Sequence, residues 1–293
     1  MSAAGDRLLV RCPAKVNLFL HVTGRRPDGY HELQTVFQLL DLCDSLDIET
    51  RQDGAIERRA GPGGVEPEAD LVVRAARLLQ SRAGTGMGAN LWLHKRIPMG
   101  GGLGGGSSDA ATVLVALNAL WGTGLDTGAL AALGLELGAD VPVFVRGRSA
   151  WAEGVGELLE PVDLPPRWFA VVCPGVAVAT AEVFQAPELT RNSPKITIRG
   201  FLQAGGRNDC EPVVLARQGE IRAAIEWLRE RGAARLTGTG SCVFAGFATQ
   251  DEAAAALAGL PRRWAGFVAR GLAVSPLVQR LAVERAAGRT DLG

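Results

Sequence analysis

The chain contains no Gly-Lys-Ser and no Gly-Lys-Thr, although glycine fills 38 of its 293 positions. A Walker A phosphate loop, which requires that ending, is therefore excluded. No apolar run reaches 18 residues, so no membrane-spanning helix is expected. The opening Met-Ser-Ala-Ala-Gly-Asp-Arg lacks the apolar stretch of a secretion signal, and a soluble, cytoplasmic protein is the expectation. Neither sign of charge dominates, with Lys+Arg and Asp+Glu both at 31. That balance argues against a polyanionic partner such as nucleic acid. Cysteines are few and scattered, at Cys12, Cys43, Cys173, Cys210 and Cys242, without Cys-x-x-Cys spacing. Zinc and a disulfide framework are disfavoured, and reduced, buried thiols are expected. Tyrosine occurs once, as Tyr30, and histidine three times.

What the chain does have is a glycine loop. Lys95-Arg-Ile-Pro-Met-Gly-Gly-Gly-Leu-Gly-Gly-Gly-Ser-Ser-Asp places six glycines in seven positions. After Ser107 and Ser108, Ala110, Val113, Leu114 and Leu117 recur at helical spacing, with Leu120 and Trp121 closing the face. Either serine is a natural N-cap for that helix. Leu91-Trp92-Leu93 precedes the loop as an apolar strand, so a flexible linker is a poor reading. A Rossmann fingerprint can be traced through the run, but its acidic ribose partner would have to be Asp126, which follows Gly122 and Gly124 rather than ending a strand. Glycines feeding a helix start make an anion site, because amides approach closely and the helix N-terminus is partly positive.

Pro98-Met-Gly-Gly-Gly-Leu-Gly-Gly-Gly-Ser-Ser-Asp-Ala resembles the phosphate loop of the GHMP kinases. Two further stretches are similar to one branch of that family, the diphosphocytidyl-methylerythritol kinases. They are Pro13-Ala14-Lys15-Val16-Asn17-Leu18 and Arg26-Pro27-Asp28-Gly29-Tyr30-His31-Glu32-Leu33. Gly138-Ala139-Asp140-Val141-Pro142-Val143-Phe144-Val145 matches the family's catalytic segment, and Thr237-Gly238-Thr239-Gly240-Ser241 its third motif. The resemblance implies an α+β, two-domain GHMP architecture with the active site in the interdomain cleft. It implies ATP as co-substrate with Mg²⁺, and a small-molecule substrate carrying a cytidine diphosphate group. The implied reaction phosphorylates the 2-hydroxyl of that substrate in the non-mevalonate route to isoprenoids.

Residue by residue, the resemblance implies Asp140 as general base and Lys15 as the group that orients the hydroxyl and offsets charge. Asn17, Tyr30, His31 and Phe184 would bind the acceptor, with Tyr30 and Phe184 as opposite walls around the cytosine and His31 on its edge. ATP would be held by Lys95, Pro98, Gly100, Gly101, Gly102, Leu103, Gly104, Gly105, Gly106, Ser107 and Ser108. No metal ligand is assignable; Glu136 stands too close to Asp140 to be assumed one. Asp70 occupies a position where the family often carries asparagine near the adenine pocket, which leaves a nucleotide contact there open. The Asn208-Asp209-Cys210-Glu211 segment recurs in the family without an evident role beyond a helix start.

In chain order, Leu8 to Cys12 and Lys15 to Val22 read as strands interrupted at Pro13. Arg26-Pro27-Asp28-Gly29 is a turn, and an extended segment runs from Tyr30 to about Ile48. Arg51 to Glu68 reads as a surface loop, Asp70 to Arg82 as a helix, and Asp126 to Leu137 as another. Pro142 argues against helix at Val141, which leaves Asp140 in a tight turn. Glycines 147, 154 and 156 suggest a hairpin around Trp151. Beyond Pro161, a strand Trp168 to Cys173, a loop Thr180 to Pro187, a helix Glu220 to Arg231, a helix Asp251 to Leu260 and a strand Phe267 to Val274 complete an α+β unit. The tail from Glu284 reads as loose. The expected division is residues 1–160 and 161–293, in a monomer or homodimer. Rival functions are a GHMP kinase for another alcohol such as homoserine or mevalonate, a nucleotide-binding regulator on the same scaffold, and a nicotinamide oxidoreductase.

Overall fold

A long antiparallel hairpin forms the spine of the computed structural model, which describes residues 6–286. Strand β1 (Arg7–Arg25) returns as β2 (His31–Arg51). The turn between them is closed by the Arg26 amide donating to the Tyr30 carbonyl at 2.7 Å, and Gly29 supplies its positive φ of 90°. Pro13 does not break β1. The register shifts between Pro13 and Lys15, and such an irregularity accommodates a residue without an N–H inside a continuous strand.

Strand β3 (Ile56–Ala60) lies inside the stretch expected to be loop and runs parallel to β4 (Gly88–His94). Between them stands helix α1 (Leu71–Ala83), capped by Asp70 and ended by Gly84 in the left-handed region. Next come α2 (Gly105–Trp121), α3 (Thr127–Leu137) and α4 (Val141–Arg146). Helix α2 begins earlier than its serines suggest. Its N-cap is Gly104, and Ser107 and Ser108 sit within the first turn rather than capping it. Helix α4 replaces the turn expected after Asp140. Pro142 is tolerated because the first helical turn leaves its amides unpaired in any case.

A hairpin of β5 (Ala150–Glu153) and β6 (Leu158–Pro161) carries Trp151 and pairs with β2. Strand β7 (Trp168–Cys173) falls where the apolar pattern placed it. The segment read as a loop around Phe184 is helical, as α5 (Thr180–Gln185). It is followed by α6 (Ile198–Ala204), α7 (Glu211–Arg217) and α8 (Gly219–Arg229). Strands β8 (Arg235–Leu236) and β9 (Val243–Phe247), helix α9 (Gln250–Ala256), β10 (Ala265–Leu272) and α10 (Pro276–Ala286) follow. The tail read as loose from Glu284 is helical to Ala286, and the rest of it lies outside the described residues.

The strands join in the order β3-β4-β2-β10-β7-β9-β8, with β1 and β5 also on β2. Strand β10 is the seam, pairing Leu272 with Leu39 of β2 and six residues with β7. One core packs α1, α2 and α4 on the β1-β2-β4 face through Val73, Leu79, Leu114, Leu117 and Phe144. A second packs α7, α8 and α9 on β7 and β9 through Val214, Ile225, Leu228 and Ala253. Both are ordinary burial of one apolar face per element. The expectation of reduced thiols throughout fails for Cys173 and Cys242, which form a disulfide between β7 and the turn before β9. Position along the chain gave no hint of it, since 69 residues separate the two. Cys12, Cys43 and Cys210 are free and buried.

Candidate active site

Lys15 and Asn17 stand two residues apart on β1 and so share a face. Both are buried, at 2% and 3% exposure. The Lys15 ammonium donates to Asn17 Oδ1 at 2.6 Å and stands 3.1 Å from Asp140 Oδ2. An ammonium out of water needs such oxygens around it. Lys15 is therefore not the solvated edge residue that a lone lysine on a strand usually is. Asp140, at the N-cap position of α4, keeps its side chain one-third exposed. Asn17 Nδ2 donates to Thr35 Oγ1 at 2.9 Å. The Asn17 amide donates to Thr237 Oγ1 at 3.1 Å, and that hydroxyl donates onward to the Gly102 carbonyl at 3.2 Å. Strand β1, the glycine loop and the 237–242 turn are thus one network.

In the glycine loop Gly100, Gly102 and Gly104 have φ of 68°, 73° and 72°. Alternate left-handed residues curl successive amides into an anion-binding hollow, and the 17-residue α2 starts there with its partly positive end. A Cβ on Gly102 would collide with the Thr237 carbonyl oxygen. The turn is fixed to the loop by Ser241 and Cys242 amides donating to the Gly100 and Gly101 carbonyls at 3.3 and 3.0 Å.

Behind the loop lies a second charged group. The Lys95 ammonium donates to Asp44 Oδ2 at 2.5 Å and to Asp109 Oδ2 at 2.6 Å. Asp44, fully buried, also accepts the Arg96 and Ile97 amides at 2.5 and 2.8 Å. Burial would lower the Lys95 ammonium, but Asp109 and Asp44 outweigh it and leave it raised. Burial pushes the Asp109 carboxyl up to about 7, against the pull of Lys95 and with the help of Asp44. Lys95 thus ties β2 and α2 together under the loop, with 15% of its side chain exposed. The Ser108 hydroxyl is buried and has no hydrogen-bond partner among the described residues.

A cavity of about 880 Å³ gathers most of the residues singled out in the sequence. Lys15, Asn17, Tyr30, His31, Asp140 and Phe184 line it with Gly102, Gly104 and Ser107. Lys95, Pro98, Gly100, Gly101, Leu103, Gly105, Gly106 and Ser108 are not in its lining. Tyr30 is 65% exposed at the rim. The His31 and Phe184 rings are stacked, 5.2 Å between centroids and 27° apart in plane. Burial lowers the His31 pKa, and the charges of Arg191 and Arg25 lower it further. Arg191 donates from Nε to His31 Nε2 at 3.1 Å.

Arg191, which supports the cavity wall through His31, and Thr35, which lines it, were not singled out in the sequence, whereas Thr237 belongs to the third motif named there. Each acts across long sequence separation, and none carries a periodic signal. Asp70 and the 208–211 segment receive scaffold roles. Asp70 accepts the Val72 amide at 3.1 Å and pairs with Arg58 at 2.6 Å. Asn208 donates to the Leu236 and Gly238 carbonyls, holding the 237–242 turn, while Asp209 accepts the Val22 amide. Glu136 pairs with Arg82 at the surface. Taken together, the cavity offers an amide hollow for a polyphosphate, a carboxylate beside a buried ammonium, and an aromatic slot.

The chain matches the GHMP kinases N terminal domain over residues 70–148 and the GHMP kinases C terminal family over residues 191–266. A 4-diphosphocytidyl-2-C-methyl-D-erythritol kinase of Alkalilimnicola ehrlichii is 58% identical over 279 residues, 95% of this chain and 96% of that protein. One of the same name from Halorhodospira halophila is 59% identical over 273 residues, 92% of this chain and 95% of that protein. A crystal structure of 4-(cytidine 5'-diphospho)-2C-methyl-D-erythritol kinase superposes with a TM-score of 0.80 at 37% identity, covering 90% of this chain and 99% of that one. A homoserine kinase from Cytophaga hutchinsonii shares the fold, with a TM-score of 0.70 at 17% identity, over 94% of this chain and 97% of that one.

Proposed function

The chain belongs to the 4-diphosphocytidyl-2-C-methyl-D-erythritol kinases of the GHMP kinase family, and from that membership we propose how its cavity carries out the transfer. The enzyme is an ATP-dependent kinase whose acceptor is a cytidine-diphosphate-linked sugar alcohol. The acceptor group is the 2-hydroxyl, and the product serves the non-mevalonate isoprenoid route.

Asp140 Oδ2 takes the proton of the attacking hydroxyl, within reach of the cavity and 3.1 Å from Lys15 Nζ. Lys15 orients that hydroxyl and offsets the charge that gathers on the transferred group. The amides from Gly100 to Ser107 hold the ATP phosphates, with Pro98 shaping the entry to the loop and the Ser108 amide closing the first turn of α2 on the Gly104 carbonyl. Lys95 supports that loop from behind through Asp44 and Asp109. Tyr30 and Phe184 flank the cytosine, His31 meets its polar edge, and Asn17 helps place the acceptor.

Magnesium fits this donor set as an ion carried mainly by phosphate oxygens and water. The Ser107 hydroxyl, at the cavity wall where α2 begins, would supply a protein oxygen to the ion. Among the described residues no group of three His, Cys, Asp or Glu side chains could hold a metal alone. When bound, the ion offsets phosphate charge. The chain passes from the first lobe to the second at about residue 160, with α10 returning to the first core through Leu277 and Leu281, and the enzyme works in the cytoplasm. Homoserine and mevalonate have no base, so a kinase for them would give Tyr30, His31 and Phe184 no use.

The observation that carries this reading is the placement of Lys15 and Asp140 in one cavity with both the glycine loop and the Tyr30-His31-Phe184 slot. The test is ADP release with Mg-ATP and the diphosphocytidyl acceptor, run beside the same sugar alcohol phosphate lacking cytidine. Turnover confined to the cytidylated compound is expected. Equal turnover of both would remove the base slot from the reading.

A further inference from the structure

Arginine has only donors and stays protonated at every working pH. Arg191 Nε–H points at His31 Nε2 from 3.1 Å, so Nε2 must be the unprotonated, accepting nitrogen of a neutral ring. Burial, Arg191 and Arg25 all favour the neutral form. The ring proton is therefore on Nδ1, and no described residue accepts it. Arg191 is itself immobilised. Its Nη1 donates to the Leu189 carbonyl at 3.1 Å, and its Nη2 to the Phe184 and Ala186 carbonyls at 2.9 and 2.7 Å. The same guanidinium thus fixes the tautomer of His31 and the end of the helix that holds Phe184 against it.

We infer that Arg191 is a positioning residue for base selection: by occupying His31 Nε2 it leaves the cavity a single imidazole edge, an Nδ1–H donor. This rests on the reading of the slot as a cytosine site. Cytosine N3 is an acceptor and meets such a donor, whereas uracil carries a proton at N3 and would present donor to donor. A site whose polar group is committed to one polarity rejects the mismatched partner strongly, because a desolvated donor is left unpaired. Without Arg191 the imidazole is free to move its proton to Nε2 and accept at Nδ1, and uracil becomes tolerable.

Two measurements test this. Nitrogen-15 NMR of histidine-labelled, ligand-free protein reads the tautomer directly, and with three histidines in the chain the His31→Asn spectrum assigns the signal. Protonated Nδ1 and unprotonated Nε2 are expected in the wild type, giving way to a mixture in Arg191→Met. The kcat/KM ratio for cytidine- over uridine-diphosphate-linked acceptor should fall by about tenfold or more in Arg191→Met, chiefly through the acceptor KM, with the KM for ATP unchanged. Arg191→Lys keeps the charge but cannot span His31 and three carbonyls. It should lose part of the ratio, and it replaces the methionine variant if that fails to fold. A wild-type His31 protonated at Nε2, or an Arg191→Met enzyme with undiminished cytidine preference, overturns the inference. Wild-type enzyme that turns over neither nucleotide-linked acceptor would instead overturn the reading of the slot, while the wild-type spectrum would still decide what Arg191 does to His31.

Discussion

The Lys15 ammonium and the Asp140 carboxylate stand 3.1 Å apart, one buried on a strand and the other at the start of a short helix. In the proposed mechanism the two act together. The ion pair sets the carboxylate and the ammonium side by side in the cavity, and in the proposed transfer the ammonium lies where charge on the phosphoryl group would develop.

Asp140→Asn keeps the shape and removes the proton acceptor. We expect kcat to fall by roughly 10²- to 10⁴-fold with ATP affinity within a few-fold of wild type. Steady-state turnover and calorimetric ATP titration check this together, and near-normal turnover would take Asp140 out of the mechanism.

Tyr30→Ala should spare folding, because the ring is 65% exposed. Stacking of a base on an aromatic face contributes about 1–3 kcal/mol. The acceptor KM should therefore rise by about tenfold, with the ATP KM unmoved. A loss confined to ATP would place Tyr30 in the wrong half of the cavity.

The pKa of His31 is lowered by burial and then by Arg191 and Arg25. Its neutral form therefore contributes stability that is complete above the unfolded-state value of about 6.5 and is lost as pH falls through the lower folded value. Protonation also turns the Arg191 contact from attraction into repulsion. Acidification below about pH 6.5 should lower the unfolding midpoint and raise the acceptor KM, and both slopes should flatten in His31→Asn. Identical pH slopes in the two proteins would show that His31 is not the titrating group.

Asp44 is fully buried and accepts from Lys95 and from the Arg96 and Ile97 amides. Asp44→Ala leaves the Arg96 and Ile97 amides unmatched and Lys95 with Asp109 as its one remaining carboxylate. Breaking one side of a buried ion pair destabilises by about 3–5 kcal/mol, which denaturant unfolding would detect. ATP affinity should also fall, because the glycine loop rests on this group. A stable variant with normal ATP binding would show that the support is dispensable.

The glycine loop, the helix after it and β7 were legible because local rules write them: glycine for tight backbone approach, 3.6-residue apolar spacing, and a run of β-formers. Even there the start of α2 escaped, since its cap is the backbone of Gly104 in the left-handed region rather than a serine oxygen. Strand β3 and helix α5 were missed for a related reason. Both are short and weakly patterned, and β3 takes its partner from β4 across an intervening helix.

The sequence by itself determined the elements and the motifs, because hydrogen bonding to near neighbours and one-sided burial are local properties. It also determined that Lys15, Tyr30 and Asp140 resemble known motif positions. Only the tertiary structure decided how they meet. The hairpin, α4 and the 237–242 turn bring Lys15, Asp140 and Gly102 into one network, and Arg191 reaches His31 from another part of the chain. Those contacts depend on sheet register and helix packing, which are set by the summed burial of both cores and not by any residue's neighbours in sequence.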